Sequence, residues 1–299
     1  MKELWNKIHT DKFRWNDEIL LVGVFSFVLV MIGQILGLFV QALFVLFFDK
    51  NDPFNITFIL YFQMIGVTIT ILAYLLIFKH RRPILKAITP KAKGNTVPYL
   101  LIGLAMGAGT NFLCALVAMI NKDIHVSFSQ FNIFSFLLLL LAVFIQSSAE
   151  EITDRMYYYQ VLRKGYRNKW VAIVGNALVF SLLHIFNPGI TVLALLNIFF
   201  SGVICSLLVY YFDSLWAAFG FHTGWNFTQS ILLGLPNSGK VVPYSIFMLD
   251  TANARNSLFY NVVFGIEGTV FSTIILGLIC VVVYLVGRKR NQEPLDVWE

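Results

Sequence analysis

The sequence predicts an all-α protein, a polytopic bundle of about eight transmembrane helices, and two observations carry that prediction. Hydrophobic residues make up 58% of the 299 residues and charged residues only 13%, whereas a soluble domain has roughly 25% charged residues. The apolar residues also fall in long runs, and about 20 consecutive apolar residues let one helix cross a bilayer. We therefore expect a multi-pass membrane protein with no separate soluble domain.

The apolar runs define the spans in chain order. About 18 mostly polar residues precede the first run, which fits a retained span better than a cleavable signal peptide. A basic loop, residues 79–96, contains prolines and separates the second span from the third. A long polar loop, residues 236–259, precedes the last span. The predicted spans are residues 19–48, 57–78, 97–120, 132–155, 170–187, 190–211, 214–235 and 260–287.

Basic residues are distributed unevenly between the two sides of this predicted bundle. If the N-terminus is cytoplasmic, 17 Lys and Arg residues lie on the cytoplasmic side and 4 on the other. Cytoplasmic loops carry such an excess, so we expect both termini in the cytoplasm. The abundance of Lys, Asn, Ile and Phe points to a bacterial plasma membrane. The net charge of +6 does not indicate nucleic-acid binding, because the basic residues lie in short loops beside the spans.

The segment AEEITDRMYYY, residues 149–159, places four ionisable residues at the end of the fourth predicted span. Each charge at the bilayer centre is unfavourable by about 2.5–3.5 kcal/mol, so these side chains must be paired, neutralised or set on a water-filled cavity. Glu151 and Arg155 are four residues apart, with the acid first, which favours an ion pair on one helix face. Glu150 lies about 100° around the helix from Glu151 and shares its face with Asp154.

Glu150 is thus an acid with no obvious cation on its own helix, because Arg155 is expected to pair with Glu151. Two acids on one face, together with partial burial, disfavour full ionisation of both. Such an acid suits a general base that works near neutral pH. The alternative is that the helix simply emerges into the cytoplasm here, because the tyrosines and basic residues that follow resemble an interfacial belt.

A histidine on the next predicted span is a candidate partner. His184 follows Phe180 by four residues, and both His184 and Glu150 lie 17 residues from Arg167 in the intervening basic loop. A hairpin of two straight helices therefore brings Glu150 and His184 to similar depth. The alternative is a core histidine whose hydrogen bonds are satisfied within the bundle.

A third polar pair, His222 and Asn226, lies one turn apart on the seventh predicted span. Gly220 and Gly224 permit a close helix approach nearby. An imidazole and a carboxamide side by side are able to donate two hydrogen bonds to one oxygen, as an oxyanion hole does. The alternative is a pair of interhelical hydrogen bonds.

Several other polar residues fall inside the predicted spans. We expect most of them to form interhelical hydrogen bonds, and Asn197 is also a candidate for the lining of a cavity. They include Gln34, Gln41, Gln146, Asn176, Asn197 and Ser201.

Three motifs follow one another on successive predicted helices. They are Glu150-Glu151-x-x-x-Arg155, Phe180-x-x-x-His184 and His222-x-x-x-Asn226. Together, and in this order, they resemble the CPBP family, which includes CAAX prenyl proteases and the bacteriocin-processing or immunity proteins also called Abi. The resemblance covers about residues 130–235. It leads us to divide the chain into three N-terminal spans (1–129), a catalytic core (130–235), an extracytoplasmic loop (236–259) and a last span with a cytoplasmic tail (260–299).

The resemblance implies an intramembrane endopeptidase and assigns roles to the catalytic residues. Glu150 would activate the attacking water with help from His184. His222 and Asn226 would stabilise the tetrahedral oxyanion. The substrate would be a membrane-associated peptide or protein, and we favour bacteriocin or signalling-peptide processing, or self-immunity, over prenyl-type processing.

The remaining motif residues and the metal question follow from the same resemblance. Glu151 and Arg155 would orient the site through their ion pair. Glu150, His184 and His222 would suit one zinc ion with an open fourth position, but the same residues also work without a cofactor, and we lean towards no tightly bound metal. The oligomeric state stays open, and membrane lipids are the other expected partners.

Two residues depart from the family pattern, and two other functions compete with proteolysis. Met156 stands where the family usually has Gly, and Asp154 stands where it usually has an apolar or aromatic residue. A proton-coupled transporter would also use intramembrane acids and histidines, although no inverted repeat is visible. A non-catalytic membrane scaffold would not need Glu150.

Overall fold

A computed structural model of the protein describes residues 2–290 and 293–299, and it confirms the all-α class. Two short strands, β1 (Val126–Phe128) and β2 (Phe247–Leu249), pair antiparallel. The helices are α1 (Lys2–Ile8), α2 (Ile19–Phe44), α3 (Pro53–Phe62), α4 (Ile65–Ile77), α5 (Val97–Ile120), α6 (Ile133–Glu151), α7 (Tyr159–Gly165), α8 (Asn176–Leu182), α9 (Val192–Phe212), α10 (Leu215–Asn226) and α11 (Val270–Gly287).

Short turns of other helix types extend or connect these helices. Three are π-helical, with a wider turn than the α-helix: Ile152–Tyr158 between α6 and α7, Val171–Gly175 before α8, and Phe227–Leu232 after α10. Three are 3₁₀-helical: Trp15–Asp17, Arg82–Ile88 and Ile266–Gly268.

Six helices in the described part of the chain are long and apolar enough to cross a membrane. The chain is therefore a multi-pass membrane protein. The fifth and seventh predicted spans contain shorter or more polar helices, so the number of eight spans stays a prediction. The six are Ile19–Phe44, Pro53–Ile77, Val97–Ile120, Ile133–Gly165, Val192–Phe212 and Val270–Gly287.

The boundaries of several helices differ from those expected. The prediction that the last span begins at residue 260 is wrong, since α11 begins at Val270. The chain turns sharply before it, at Gly265 with φ 82°, and the Asn261 side-chain oxygen accepts hydrogen bonds from the backbone of Val263 and Phe264. The fourth helix continues past its expected end at residue 155 as far as Gly165.

The loops predicted to be cytoplasmic meet at one end of the bundle. Asp17 forms buried ion pairs with Arg81 at 2.8 Å and Lys164 at 2.6 Å. In the tail, the backbone oxygen of Leu295 accepts a hydrogen bond from Arg163 at 2.6 Å. The N-terminal segment, the basic loop, the α7 end and the C-terminal tail therefore share one side, whose cytoplasmic identity stays a prediction.

The loop of residues 236–259, here named the extracytoplasmic loop after its predicted side, is anchored at the other end of the bundle by Asp123, which lies just after α5. This buried carboxylate accepts hydrogen bonds from Ser257 at 2.5 Å, Asn121 at 2.8 Å and Arg255 at 3.1 Å. Burial raises the pKa of Asp123, but these hydrogen bonds and the Arg255 charge outweigh burial and leave the pKa below its ordinary value. The loop is thus fixed to the end of α5.

Helices α5 and α10 pack backbone against backbone. A Cβ atom at Gly107 would overlap the carbonyl oxygen of Phe221, and one at Gly224 would overlap that of Leu104. Small residues allow this approach between membrane helices, as expected from the glycines near His222. The contact fixes α10, which carries His222, against a long helix.

Candidate active site

A cavity of about 450 Å³ lies among α2, the α3–α4 break, α6, α8, α9 and α10. Residues of the extracytoplasmic loop complete its wall. Four of the six predicted site residues line it, namely Glu150, His184, His222 and Asn226. The four side chains line one cavity, as expected if a hairpin of two helices brings Glu150 and His184 to similar depth.

A π-helical turn shapes the acidic segment. α6 ends at Glu151, and the next seven residues, Ile152–Tyr158, are π-helical, so that the Tyr159 backbone N–H reaches Asp154 O. Such turns are rare and frequently lie at functional sites. Thr153 and Asp154 line the same cavity as Glu150, so the face that Glu150 was predicted to share with Asp154 opens to the cavity.

Glu151 and Arg155 form the predicted ion pair just behind the cavity wall. Arg155 Nη1 lies 3.0 Å from Glu151 Oε1, and both side chains are buried. The guanidinium also lies 4.4 Å from the centre of the Phe180 ring, which is a favourable cation–π distance. The predicted pair is confirmed, and it connects the first motif to the second.

Glu151 also fixes the ring of His222. His222 Nδ1 lies 2.9 Å from Glu151 Oε1. The same oxygen accepts a hydrogen bond from Arg155, so it is an acceptor here and the Nδ1 atom is the donor. The other ring nitrogen, Nε2, then faces Glu150 Oε2 at 3.6 Å. His222 is therefore held between the two adjacent acids.

Glu150 is held by a side chain of its own helix. Gln146 Nε2 donates to Glu150 Oε1 at 2.6 Å. The Gln146 amide is oriented by Asn226, whose Nδ2 donates to Gln146 Oε1 at 3.0 Å, and Asn226 Oδ1 accepts from Asn237 at 3.1 Å. A chain of three amides thus leads from the extracytoplasmic loop to Glu150. Asn226 has its donor directed at Gln146 in this conformation, and its oxyanion role stays a prediction.

His184 has one ring nitrogen, Nε2, that is available to accept a hydrogen bond or a proton. Its Nδ1 lies 2.8 Å from the Phe180 carbonyl oxygen, which only accepts hydrogen bonds, so Nδ1 is the donor. In the neutral ring Nε2 then carries a lone pair. His184 lines the cavity and is equipped to accept a proton there.

The zinc alternative finds no support in the way these side chains are grouped. Among the described residues, no three His, Cys, Asp or Glu side chains come together as metal ligands. In the suggested set of Glu150, His184 and His222, both histidines have Nδ1 bonded to another group, so their Nε2 atoms are the ones that would bind a metal.

Glu267 is a cavity residue that the sequence reasoning missed. Its carboxylate accepts hydrogen bonds from Trp225 Nε1 at 2.9 Å and from the Ser238 backbone at 2.7 Å. It lies in the segment wrongly assigned to the last span, where it is the one acid between residues 260 and 287. A lone acid in an apolar run was the available signal.

A known protein family matches the segment that carries this site. Residues 132–228 match the family model described as type II CAAX prenyl endopeptidase, Rce1-like. All six predicted site residues fall inside that segment. Residues 132–228 belong to the Rce1-like family. The resemblance drawn from the three motifs is confirmed for this segment, and the match supports a CAAX-type intramembrane endopeptidase, a hydrolase.

The Rce1-like segment does not contain the whole cavity. Asn237 and Glu267 line it from outside residues 132–228, so parts of the site come from the loop and from the turn before α11. None of the curated proteins and none of the solved structures matches the chain.

Proposed function

We propose that this protein hydrolyses a peptide bond in a membrane-associated peptide, with Glu150 as the general base. One observation carries the proposal: Glu150, His184, His222 and Asn226 line one cavity inside a membrane protein. Glu150 keeps 23% of its side-chain surface exposed, so water has access to the carboxylate.

In the proposed first step, Glu150 and His184 hold a water molecule between them. Glu150 takes a proton as the water oxygen attacks the carbonyl carbon, and the carbonyl electron pair moves to the oxygen. Removal of the proton in the transition state accounts for about 10²–10⁴-fold of the rate. His184 Nε2 accepts a hydrogen bond from the same water and orients it.

In the second step, the oxyanion collapses and the C–N bond breaks. Glu150 returns its proton to the leaving nitrogen, which restores the carboxylate. His222 donates to the oxyanion from Nε2, and because Nδ1 already donates to Glu151, the ring enters the reaction as an imidazolium and keeps both protons throughout. The carboxylate of Glu151 stabilises that cation while Glu150 carries the proton taken from the water. Asn226 turns its amide from Gln146 to the oxyanion.

For the substrate, we favour a bacteriocin or signalling peptide, or a role in self-immunity, over a prenylated C-terminus. The matched family is named for prenyl substrates, so the test includes both kinds of peptide. Matched pairs that differ only by a farnesyl group on one cysteine separate the two. Faster cleavage of the farnesylated partner would contradict our preference without affecting the catalytic roles.

The test of catalysis uses the purified full-length protein in lipid nanodiscs. We expect cleavage by the wild type and a loss of at least about 10²-fold in kcat/KM for both Glu150→Gln and His184→Ala. Asp250→Asn, a change in an exposed loop, serves as the matched control. Normal cleavage by both site variants would refute the mechanism. Proton flux in proteoliposomes that disappears in the same variants would favour the transporter.

A further inference from the structure

Asp154 is an acid in the cavity wall that the proposed mechanism does not use. Its side chain is 3% exposed and lines the same cavity as Glu150. Oδ1 accepts no hydrogen bond, and no Lys, Arg or His of the described residues forms a salt bridge with the carboxylate. An unpaired buried carboxylate is strongly unfavourable, so a ligand group in the cavity that donates a hydrogen bond to Asp154 is bound favourably.

The two other cavity acids already have partners. Glu267 accepts from Trp225 and Ser238, and Glu150 accepts from Gln146. Asp154 is the remaining acid. Because it follows Glu150 by four residues, it lies about one helical turn from the proposed general base.

The nearest permanent cation, Arg155, makes no ion pair with Asp154, although its Nε and Nη2 atoms also have no hydrogen-bond partner among the described residues. Arg155 directs Nη1 at Glu151 and places its guanidinium over the Phe180 ring. Lys240, the cation among the lining residues, belongs to the extracytoplasmic loop and is exposed. The inner part of the cavity therefore has more acidic than basic groups, and it favours a positively charged ligand.

We propose that Asp154 binds the ammonium or guanidinium group of a basic residue of the peptide substrate, close to the scissile bond. The proposal rests on the proposed function and narrows its substrate class to peptides with Lys or Arg near the cleavage site. A charge-assisted hydrogen bond to that group gives the buried carboxylate the donor it lacks. The burial of Asp154 strengthens the interaction, since charges attract more strongly where water is scarce.

The test measures binding to the Glu150→Gln protein, which separates recognition from cleavage. A series of fluorescent peptides carries Lys at one position at a time, and each has a partner with acetyl-lysine, which removes the charge and keeps the stem. We expect the Lys peptide to bind at least ten-fold more tightly at one or two neighbouring positions. Adding Asp154→Asn should bring that ratio to about one through loss of affinity for the Lys peptide.

Asparagine has nearly the shape of aspartate, so Asp154→Asn should fold normally. A second variant, Asp154→Ser, keeps the test valid if one of the two variants fails to fold. Equal binding of the Lys and acetyl-lysine peptides at every position would overturn the proposal. A preference that persists in both Asp154 variants would also overturn it. Absence of any cleavage by the wild type refutes the proposed function instead, and the binding ratio still decides the role of Asp154.

Discussion

The Nδ1 atom of His222 lies 2.9 Å from Oε1 of Glu151, a contact that joins the first and third motifs across 71 residues. Arg155 binds the same oxygen. The ion pair therefore positions a histidine of the site as well as neutralising a buried charge. Glu151 is a positioning acid beside the acid proposed to do the chemistry.

Replacing Glu151 tests that structural role. Glu151→Gln leaves the Arg155 charge buried without its partner, and such changes lower the free energy of unfolding by about 3–5 kcal/mol. Unfolding by sodium dodecyl sulfate titration in mixed micelles measures the loss. The exposed pair of Glu3 and Lys7 has the same four-residue spacing, so Glu3→Gln is the control, with an expected change below about 0.5 kcal/mol. Equal effects of the two variants would contradict the buried role.

Gln146 is expected to position the general base. Gln146→Leu removes the donor at 2.6 Å from Glu150, and a hydrogen bond to a charged group contributes about 1.5–3 kcal/mol. We expect kcat to fall about ten- to a hundred-fold, with KM nearly unchanged because the bond does not touch the substrate. Steady-state cleavage kinetics measure both constants.

The control for Gln146 lies two residues further on the same helix. Ser148 is buried and its hydroxyl makes no hydrogen bond, so Ser148→Ala should leave kcat within about two-fold, as expected when no interaction is removed. An increase in KM without a change in kcat for Gln146→Leu would place Gln146 in substrate binding instead.

The parts of the site that the sequence predicted are those set by local geometry or by the family motifs. The Glu151–Arg155 pair follows from four-residue spacing on one helix. Asn237 and Glu267 were not predicted, because they reach the cavity through loop conformations such as the positive φ of 82° at Gly265. No periodicity of the sequence encodes such a turn.

The helix types near the site were likewise invisible in the sequence. A π-helical turn leaves no distinct hydrophobic pattern over seven residues, so the helix carrying Glu150 was expected to be regular. The long apolar runs predict the positions of α2, α5 and α9 closely, since a helix needs about 20 apolar residues to cross a membrane. Short connections around α8 and α10 blur that signal.

The anchor at Asp123 makes the extracytoplasmic loop sensitive to acid. Its pKa in the folded protein lies below the ordinary value of 3.8, so its stabilising contribution is present above about pH 4 and is lost as the pH falls through the lowered value. We expect pepsin to cut the loop faster as the pH drops from 4 to about 2. Asp123→Asn should be cut rapidly at both pH values.

Asp250 offers the control for that experiment. It lies in the same loop and accepts hydrogen bonds from Ala252 and Asn253, its neighbours in the chain. Hydrogen bonds from Asn253 and Ala252 also lower the pKa of Asp250, but they stay within one turn of the loop, so Asp250→Asn should keep the pH dependence that comes from Asp123. Cleavage of Asp123→Asn at the wild-type rate would show that Ser257 and Arg255 hold the loop without the carboxylate.

The close contact between α5 and α10 is tested by adding a methyl group at one of its glycines. Gly107→Ala adds a methyl group that would overlap the backbone oxygen of Phe221, which cannot move without shifting α10. Overpacking of this kind lowers the free energy of unfolding by about 1–3 kcal/mol, and displacement of His222 should also lower cleavage activity. Gly109 lies on the same helix with nothing within 4 Å of an added Cβ. Gly109→Ala should therefore keep activity and gain about 0.5–1 kcal/mol from helix propensity, and a loss of stability equal to that of Gly107→Ala would contradict the packing described for α10.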